Sequence, residues 1–191
     1  MTTQIQAHDP GGKIKIALPL WIHGAAVFGG PAEMYRFELS RVWNAQLPVL
    51  LMIGMNPSVA SPYFDDPTAF KGRRYAEDWG FGTLLIGNVF AYRATDQKRL
   101  LKISDPVGPE NDAHLLAMAD RADLILFAYG SPHLSLRYRG PQVARMLADK
   151  HTKKMHVLAL SKDGVPKHPR YLKGTLTPVP WCPPSEIDNV D

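Results

Sequence analysis

Val49-Leu50-Leu51-Met52-Ile53-Gly54-Met55-Asn56-Pro57-Ser58 opens as an unbroken apolar run, stops at a glycine and turns at Asn-Pro. Six such residues are too few for a core helix, and a run with no polar alternation fits a strand covered on both faces. The same signature returns at Gly82 to Phe90 (GTLLIGNVF), Leu124 to Tyr129 (LILFAY) and Met155 to Leu160 (MHVLAL). Between these runs the chain reads as helix. Asp66-Pro67-Thr68 supplies a cap and a first-turn proline for a helix through Trp79, Pro109 to Arg121 carries acids in its first turn, and Pro141 to His151 makes a third.

Strand and helix in alternation with short connections predict an α/β fold, a three-layer sandwich with a mostly parallel central sheet. Upstream, Tyr35 to Leu39 alternates and favours a strand, and Lys13 to Val27 reads as one or two extended segments closed by Gly29-Gly30-Pro31. The expected organisation is an N-terminal extension of extended segments over residues 1–33, a single α/β domain over 34–181 and a C-terminal tail over 182–191. At 191 residues one domain is the default. A composition of 45% hydrophobic and 21% charged residues excludes wholesale disorder.

The start, MTTQIQAHDPGG, has no basic and then apolar leader, and no apolar run reaches the roughly 18 residues of a membrane span. The single cysteine, Cys182, has no disulfide or zinc partner within the chain. A cytoplasmic protein with no membrane partner is expected, and its oligomeric state is left open. The net charge is +4, with six Lys or Arg between His151 and Lys173 against the one acid Asp163. That excess fits either a solvated basic face or a surface for a polyanion, nucleic acid first.

Ligands of parallel sheets bind beyond the carboxyl ends of the strands, and unusual residues stand there. After the first strand come Gly54, Asn56, Pro57 and Ser58, which form either an ordinary Asn-Pro turn or a loop that holds a ligand edge or a water. Asn88 lies within an apolar strand, where an unpaired amide costs on the order of 1–3 kcal/mol, so it meets either a loop backbone or a ligand. Arg93 is placed to hold a phosphate or to pair with Asp96 or Asp105, and Tyr92 to stack a base or to pack. His168 follows the last strand between Lys167 and Arg170, either as a surface residue of a Pro-rich loop or as a histidine that can act on a developing anion or serve as an acid or base. Asp65 and Asp66 offer carboxylates for a metal, although a helix cap explains Asp66 better. The Gly-x-Ser-x-Gly elbow, the P-loop and the dinucleotide fingerprint are all absent.

From Tyr35 to Trp181 the chain resembles a bacterial and phage family known as domain of unknown function sixteen-forty-three. The pieces that carry the likeness are YRFELSRVW, GMNPSVAS, DDPT, GNVFAYRATD, DPVGPENDAHL, LSKDGVPKHPRYL and PVPW. More distantly, Gly54-Met55-Asn56-Pro57 resembles the Gly-x-Asn-Pro motif of the uracil-DNA glycosylase superfamily. Gly82 to Asn88 is similar to the strand whose Asn reads uracil there, and His168-Pro169 to the start of its His-Pro-Ser-Pro loop. Arg170-Tyr171 stand here in place of Ser-Pro.

That likeness implies a uracil-DNA glycosylase-like fold in which Asn56 orients the attacking water, Asn88 holds the base and His168 stabilises the departing base anion. Phe64 and Phe70 are the candidates for the stacking aromatic. Gly54, Pro57, Ser58, Tyr92 and Arg93 would complete the substrate site, with Lys162, Lys167 and Arg170 on phosphate. Neither metal nor cofactor is called for. The expected function is hydrolysis of an N-glycosidic bond in DNA or a modified nucleotide by a nucleobase-recognising protein. The alternatives are a nucleic-acid or nucleotide binding module without catalysis and a metal-dependent phosphohydrolase built on Asp65 and Asp66.

Overall fold

The computed structural model describes residues 7–183. In chain order its elements are β1 (Ile16–Ala17), β2 (His23–Gly29), β3 (Tyr35–Val42), β4 (Val49–Gly54), β5 (Phe64–Asp65), α1 (Pro67–Asp78), β6 (Thr83–Asn88), α2 (Asn111–Arg121), β7 (Leu124–Phe127), α3 (Arg139–His151), β8 (Met155–Val157) and β9 (Val179–Pro180), with short 3-10 turns between them. Each apolar run of the sequence is a strand, and each predicted helix is present. The first run is strand to its last residue, whereas the other three strands stop short of the ends of their runs, whose last residues already belong to the loops beyond the sheet.

Seven strands form one sheet in the order β2-β3-β6-β4-β7-β8-β9, and β1 pairs with β5 in a separate two-stranded ladder. The pairs β6·β4, β4·β7 and β7·β8 are parallel, whereas β2·β3, β3·β6 and β8·β9 are antiparallel. The sheet is therefore mixed, parallel at its centre and antiparallel at both flanks, which corrects the expectation of a mostly parallel one. The cause is local. The tight Gly29-Gly30-Pro31 connection has no room for a crossover helix, so β2 and β3 meet as a hairpin. Within the expected N-terminal extension, β2 is the edge strand of the main sheet, and residues 1–6 lie outside the described residues. At the other end Trp181 N donates to Met155 O at 3.0 Å, and residues 184–191 of the expected tail lie outside the described residues.

The helices divide between the two faces. Leu50, Met52, Leu84, Ile86 and Leu126 pack with Ala69, Tyr75 and Ala76 of α1. Leu51, Ile53, Leu85, Ile125 and Phe127 pack with Leu115 and Met118 of α2 and Val143 and Leu147 of α3. This three-layer arrangement follows from the two-residue alternation of a strand: with both faces covered, neighbouring positions are all apolar. From β4 the chain steps to β6 on one side, then recrosses to β7 on the other. Such a reversal parts the loops that leave neighbouring parallel strands and opens a crevice between them.

Candidate functional site

The crevice is a cleft of about 820 Å³ at the carboxyl ends of β4, β6 and β7. Its walls come from the loop after β4 (Gly54, Asn56, Ser58), the end of β6 (Asn88), the loop after β7 (Tyr129, Gly130, Ser131), the start of α1 (Asp66, Thr68) and the segment Lys167 to Leu172. The loops after β4 and β6 are zipped together. Val89 N donates to Gly54 O and Phe90 N to Met55 O, each at 2.9 Å, and Ala94 N donates to Pro57 O at 2.8 Å. The Asn56 side chain joins this ladder, its Nδ2 donating to Ala94 O at 2.5 Å and to Pro57 O at 3.1 Å. With both amide hydrogens spent on backbone, Oδ1 is the group it has left to offer the cleft, as an acceptor.

Asn88 is held differently. Its backbone carbonyl accepts from Asn111 Nδ2 at 3.0 Å, and it is 4% exposed, yet its own Nδ2 is buried without a hydrogen-bond partner. Gly54, the register neighbour of Asn88, makes room for that amide: a Cβ at position 54 would stand 2.9 Å from Asn88 Oδ1. His168 Nδ1 accepts from Arg170 N at 3.2 Å, which leaves Nε2 to carry the proton of the neutral ring. Burial, and then the Arg170 charge, hold its pKa below the ordinary histidine value, against an opposing pull from Asp66. Gly130, at φ 71°, brings the loop after β7 against His168, where a Cβ would come within 3.1 Å of the histidine Cβ. Tyr129, 5% exposed, has its hydroxyl pKa pushed up to about 12 by burial and stays a neutral phenol.

Residues 36–170 match the family described as Protein of unknown function (DUF1643). The chain belongs to that family. No curated protein and no solved structure matches it. The matched segment of this DUF1643 domain begins at Arg36 and ends at Arg170, and both residues line the cleft.

Of the residues expected in the site, the DUF1643 domain brings Gly54, Asn56, Ser58, Asn88, Lys167, His168 and Arg170 to one cleft. Pro57 lies buried just behind them and acts through its carbonyl. Tyr92 and Arg93 are not in the site. Tyr92 is 5% exposed and packs edge-on against His8 and Tyr35. Arg93 turns away, with Nη1 donating to Glu33 O at 2.7 Å and the guanidinium 4.8 Å from the centre of the Phe28 ring, so it fastens the loop after β6 to the β2–β3 connection. Neither Asp96 nor Asp105 pairs with it.

Lys162 sits exposed in the turn closed by Gly164 N donating to Ser161 O, outside the cleft lining. The basic stretch is likewise no single patch. Lys153 and Lys154 precede β8 at the far end of the sheet, and Lys154 Nζ donates to Ala122 O at 2.6 Å. Phe64 and Phe70 do not line the cleft, whereas Tyr129 and Tyr171 do.

Asp65 and Asp66 both serve structure. Asp65 Oδ1 accepts from Arg41 Nε at 2.8 Å and Oδ2 from Arg73 Nε at 3.1 Å, all three residues being buried. Asp66 Oδ1 caps α1 by accepting from Thr68 N and Ala69 N. The metal reading of this pair therefore loses its ligands to arginines and to a helix end. Among the described residues no helix is long and apolar enough to cross a membrane. Sequence reasoning missed Arg36, Tyr129, Ser131 and Gln97, which also line the cleft. The alternation around Arg36 gave a signal, but one that placed it on an outward face.

Proposed function

We propose that the cleft binds a nucleobase in the manner of the uracil-DNA glycosylase superfamily and hydrolyses its N-glycosidic bond. The observation that carries this reading is Asn88: a buried amide with an unpaired donor, on the wall of a cleft at the ends of parallel strands. Leaving such a group unmet costs on the order of 1–3 kcal/mol, and a base edge, with acceptor and donor side by side, meets it.

Asn56 Oδ1 accepts a hydrogen bond from the attacking water and so orients it. The water oxygen bonds to the sugar C1′ as the C1′–N bond breaks and its electron pair leaves with the base. The His168 Nε2–H donates to that base anion, and the water's proton passes to solvent. A ring held neutral by burial remains a donor of this kind at neutral pH.

One observation favours a binding module without cleavage. The two carboxylates of the cleft, Asp66 and Asp96, are both engaged in capping turns, Asp96 Oδ1 accepting from Lys98 N at 2.9 Å. Each has one oxygen committed to backbone, and only Oδ2 remains to take a proton.

One experiment separates the readings. The protein is incubated with oligonucleotides carrying uracil, mismatched thymine, hydroxymethyluracil or deaminated purines, and with the matching free nucleotides. Abasic sites are read by alkaline cleavage and released base by chromatography. Release that falls at least 100-fold in both Asn56→Ala and His168→Ala is the expected result. Binding that Asn88→Ala abolishes, with no base released, gives the module; activity at wild-type level in either Asn56→Ala or His168→Ala refutes the assigned roles.

A further inference from the structure

Arg36, on β3, is the least explained charge of the cleft. It is 3% exposed, and it lines the cleft beside Asp66, Thr68 and Asn88. Nη1 donates to Ala60 O at 2.8 Å, and Nε is buried with no acceptor. No carboxylate among the described residues stands within ion-pair distance of it. Asp65 is bound by Arg41 and Arg73, and Asp66 spends Oδ1 on the α1 backbone. Burial brings its pKa down to about 10, with Asp66 and more weakly Asp65 opposing and Arg41 and Arg93 adding to the fall, which leaves it cationic at neutral pH.

A guanidinium taken out of water without a counter-ion is a standing cost that better-packed apolar side chains avoid. Its planar fork of donors matches the oxygens of a phosphate or carboxylate, and buried in a cleft it binds such a group more strongly than a surface cation can. The rim is different. Lys167 and Arg170 are exposed, as groups that hold a passing polymer backbone must be. A strand that runs on in both directions cannot lower an internal phosphate to a residue as deep as Arg36, but a chain end can. The cleft, at about 820 Å³, has room for a whole nucleotide.

We propose that Arg36 seats the terminal phosphate of a free nucleotide, so that this cleft takes a nucleoside monophosphate and not a base flipped out of a strand. The proposal rests, for its nucleoside half, on the reading of Asn88 given above; the anion seat stands on Arg36 alone.

The test uses the full chain, with binding measured by calorimetry and by shift of the melting temperature. The probes are inorganic phosphate, the nucleosides of the common bases, their 5′-monophosphates, and single-stranded oligonucleotides carrying the same bases internally. At least one monophosphate is expected to bind 10-fold or more tightly than its nucleoside. Arg36→Met is expected to remove that preference and the response to phosphate, while melting at or above the wild-type temperature. Arg36→Lys, which keeps the charge but not the fork, is expected to retain only part of the preference. A preference unchanged in Arg36→Met, no phosphate response that depends on Arg36, or an oligonucleotide that competes as well as the monophosphate overturns the seat. If the Arg36-dependent response to phosphate survives while Asn88→Ala changes nothing for any nucleoside, the seat holds and the base reading falls.

Discussion

Asp65→Asn tests the frame on which the cleft hangs. Asp65 is fully buried, and its two oxygens join three elements: Oδ1 takes Arg41 Nε of β3, and Oδ2 takes Arg73 Nε of α1, with Asp65 itself on β5. The substitution keeps the shape and one acceptor but removes the negative charge that two buried guanidinium groups share. Breaking a buried ion pair from one side costs about 3–5 kcal/mol. The lower end applies here. Arg41 keeps the carbonyls of Ser40, Ser61 and Phe64, and Arg73 keeps Glu77 Oε1 at 2.8 Å.

A loss of about 3 kcal/mol in a domain of this size lowers the melting temperature by about 6–12 °C. Calorimetry and urea unfolding at neutral pH read the change. Asp78→Asn is the control, because its contact with Arg74 at 3.9 Å is exposed and contributes at most a few tenths of a kcal/mol, ~0.5. If Asp65→Asn moves the melting temperature no more than Asp78→Asn does, the three-residue network is not what joins β3 and β5 to α1, and the placement of Asp66 and Thr68 on the cleft wall needs another cause.

Gly54→Ala separates site from scaffold. The one close contact of the new Cβ is with Asn88 Oδ1, Asn88 Cγ and Gly87 O standing at ordinary distances, so the fold is expected to lose less than about 1 kcal/mol, while ligand affinity drops at least 10-fold as the amide is displaced; equal losses of both would count against the role given to Asn88. His168 sets a pH dependence. Its folded-state pKa is depressed, so the unfolded chain takes up the proton first. The stability it contributes is present above the ordinary value near 6.5 and is lost as pH falls through the lower folded-state value. Melting curves from pH 8 to pH 5 are expected to fall less steeply for His168→Asn than for wild type; parallel curves refute the burial argument.

The fold was legible because its signal is redundant. Four apolar runs, each too short for a helix and each ended by a loop residue, can satisfy their backbones only as neighbours in one covered sheet. The antiparallel flanks were not, since their pairing depends on which free edge a hairpin finds. Asn56, Asn88 and His168 could be found because each is polar where its surroundings are apolar or where a strand ends. Tyr92 and Arg93 share that position along the chain, but the loop after β6 turns them towards the β2–β3 connection. Position after a strand does not fix the side a residue faces. Arg36 failed for the opposite reason. In YRFELSRV the alternation assigns Arg36 to a solvent face, but β3 lies between β2 and β6 with neither face bare, and the sequence of one strand does not say what covers it.

The distribution of unmet polar atoms ties these threads together. Among the described residues Arg36 Nε, Asn88 Nδ2 and Gln97 Oε1 are buried without partners and their residues line the cleft, whereas the other such atoms, on Arg93, Asn111 and His151, lie outside it, the last 3.1 Å from Asp120 Oδ1. Elsewhere the same chain meets harder demands. Arg41 is fully buried, yet a carboxylate and three carbonyls surround it. Arg139 is 2% exposed and reaches Val89 O, Gln142 and Asp112. A sequence able to satisfy those two arginines could have satisfied Arg36, or replaced it with a methionine that packs as well. Arg36 and Asn88 stay unmet on the cleft wall while Arg41 and Arg139, as deeply buried, are matched, and that contrast is what a surface shaped for something other than stability would show. On the proposal above, their kinds define the complement: a cation, an amide donor and an amide acceptor within one cleft suit a ligand that carries an anion together with a donor and acceptor edge. A nucleotide carries these, and a purely apolar or purely anionic ligand does not.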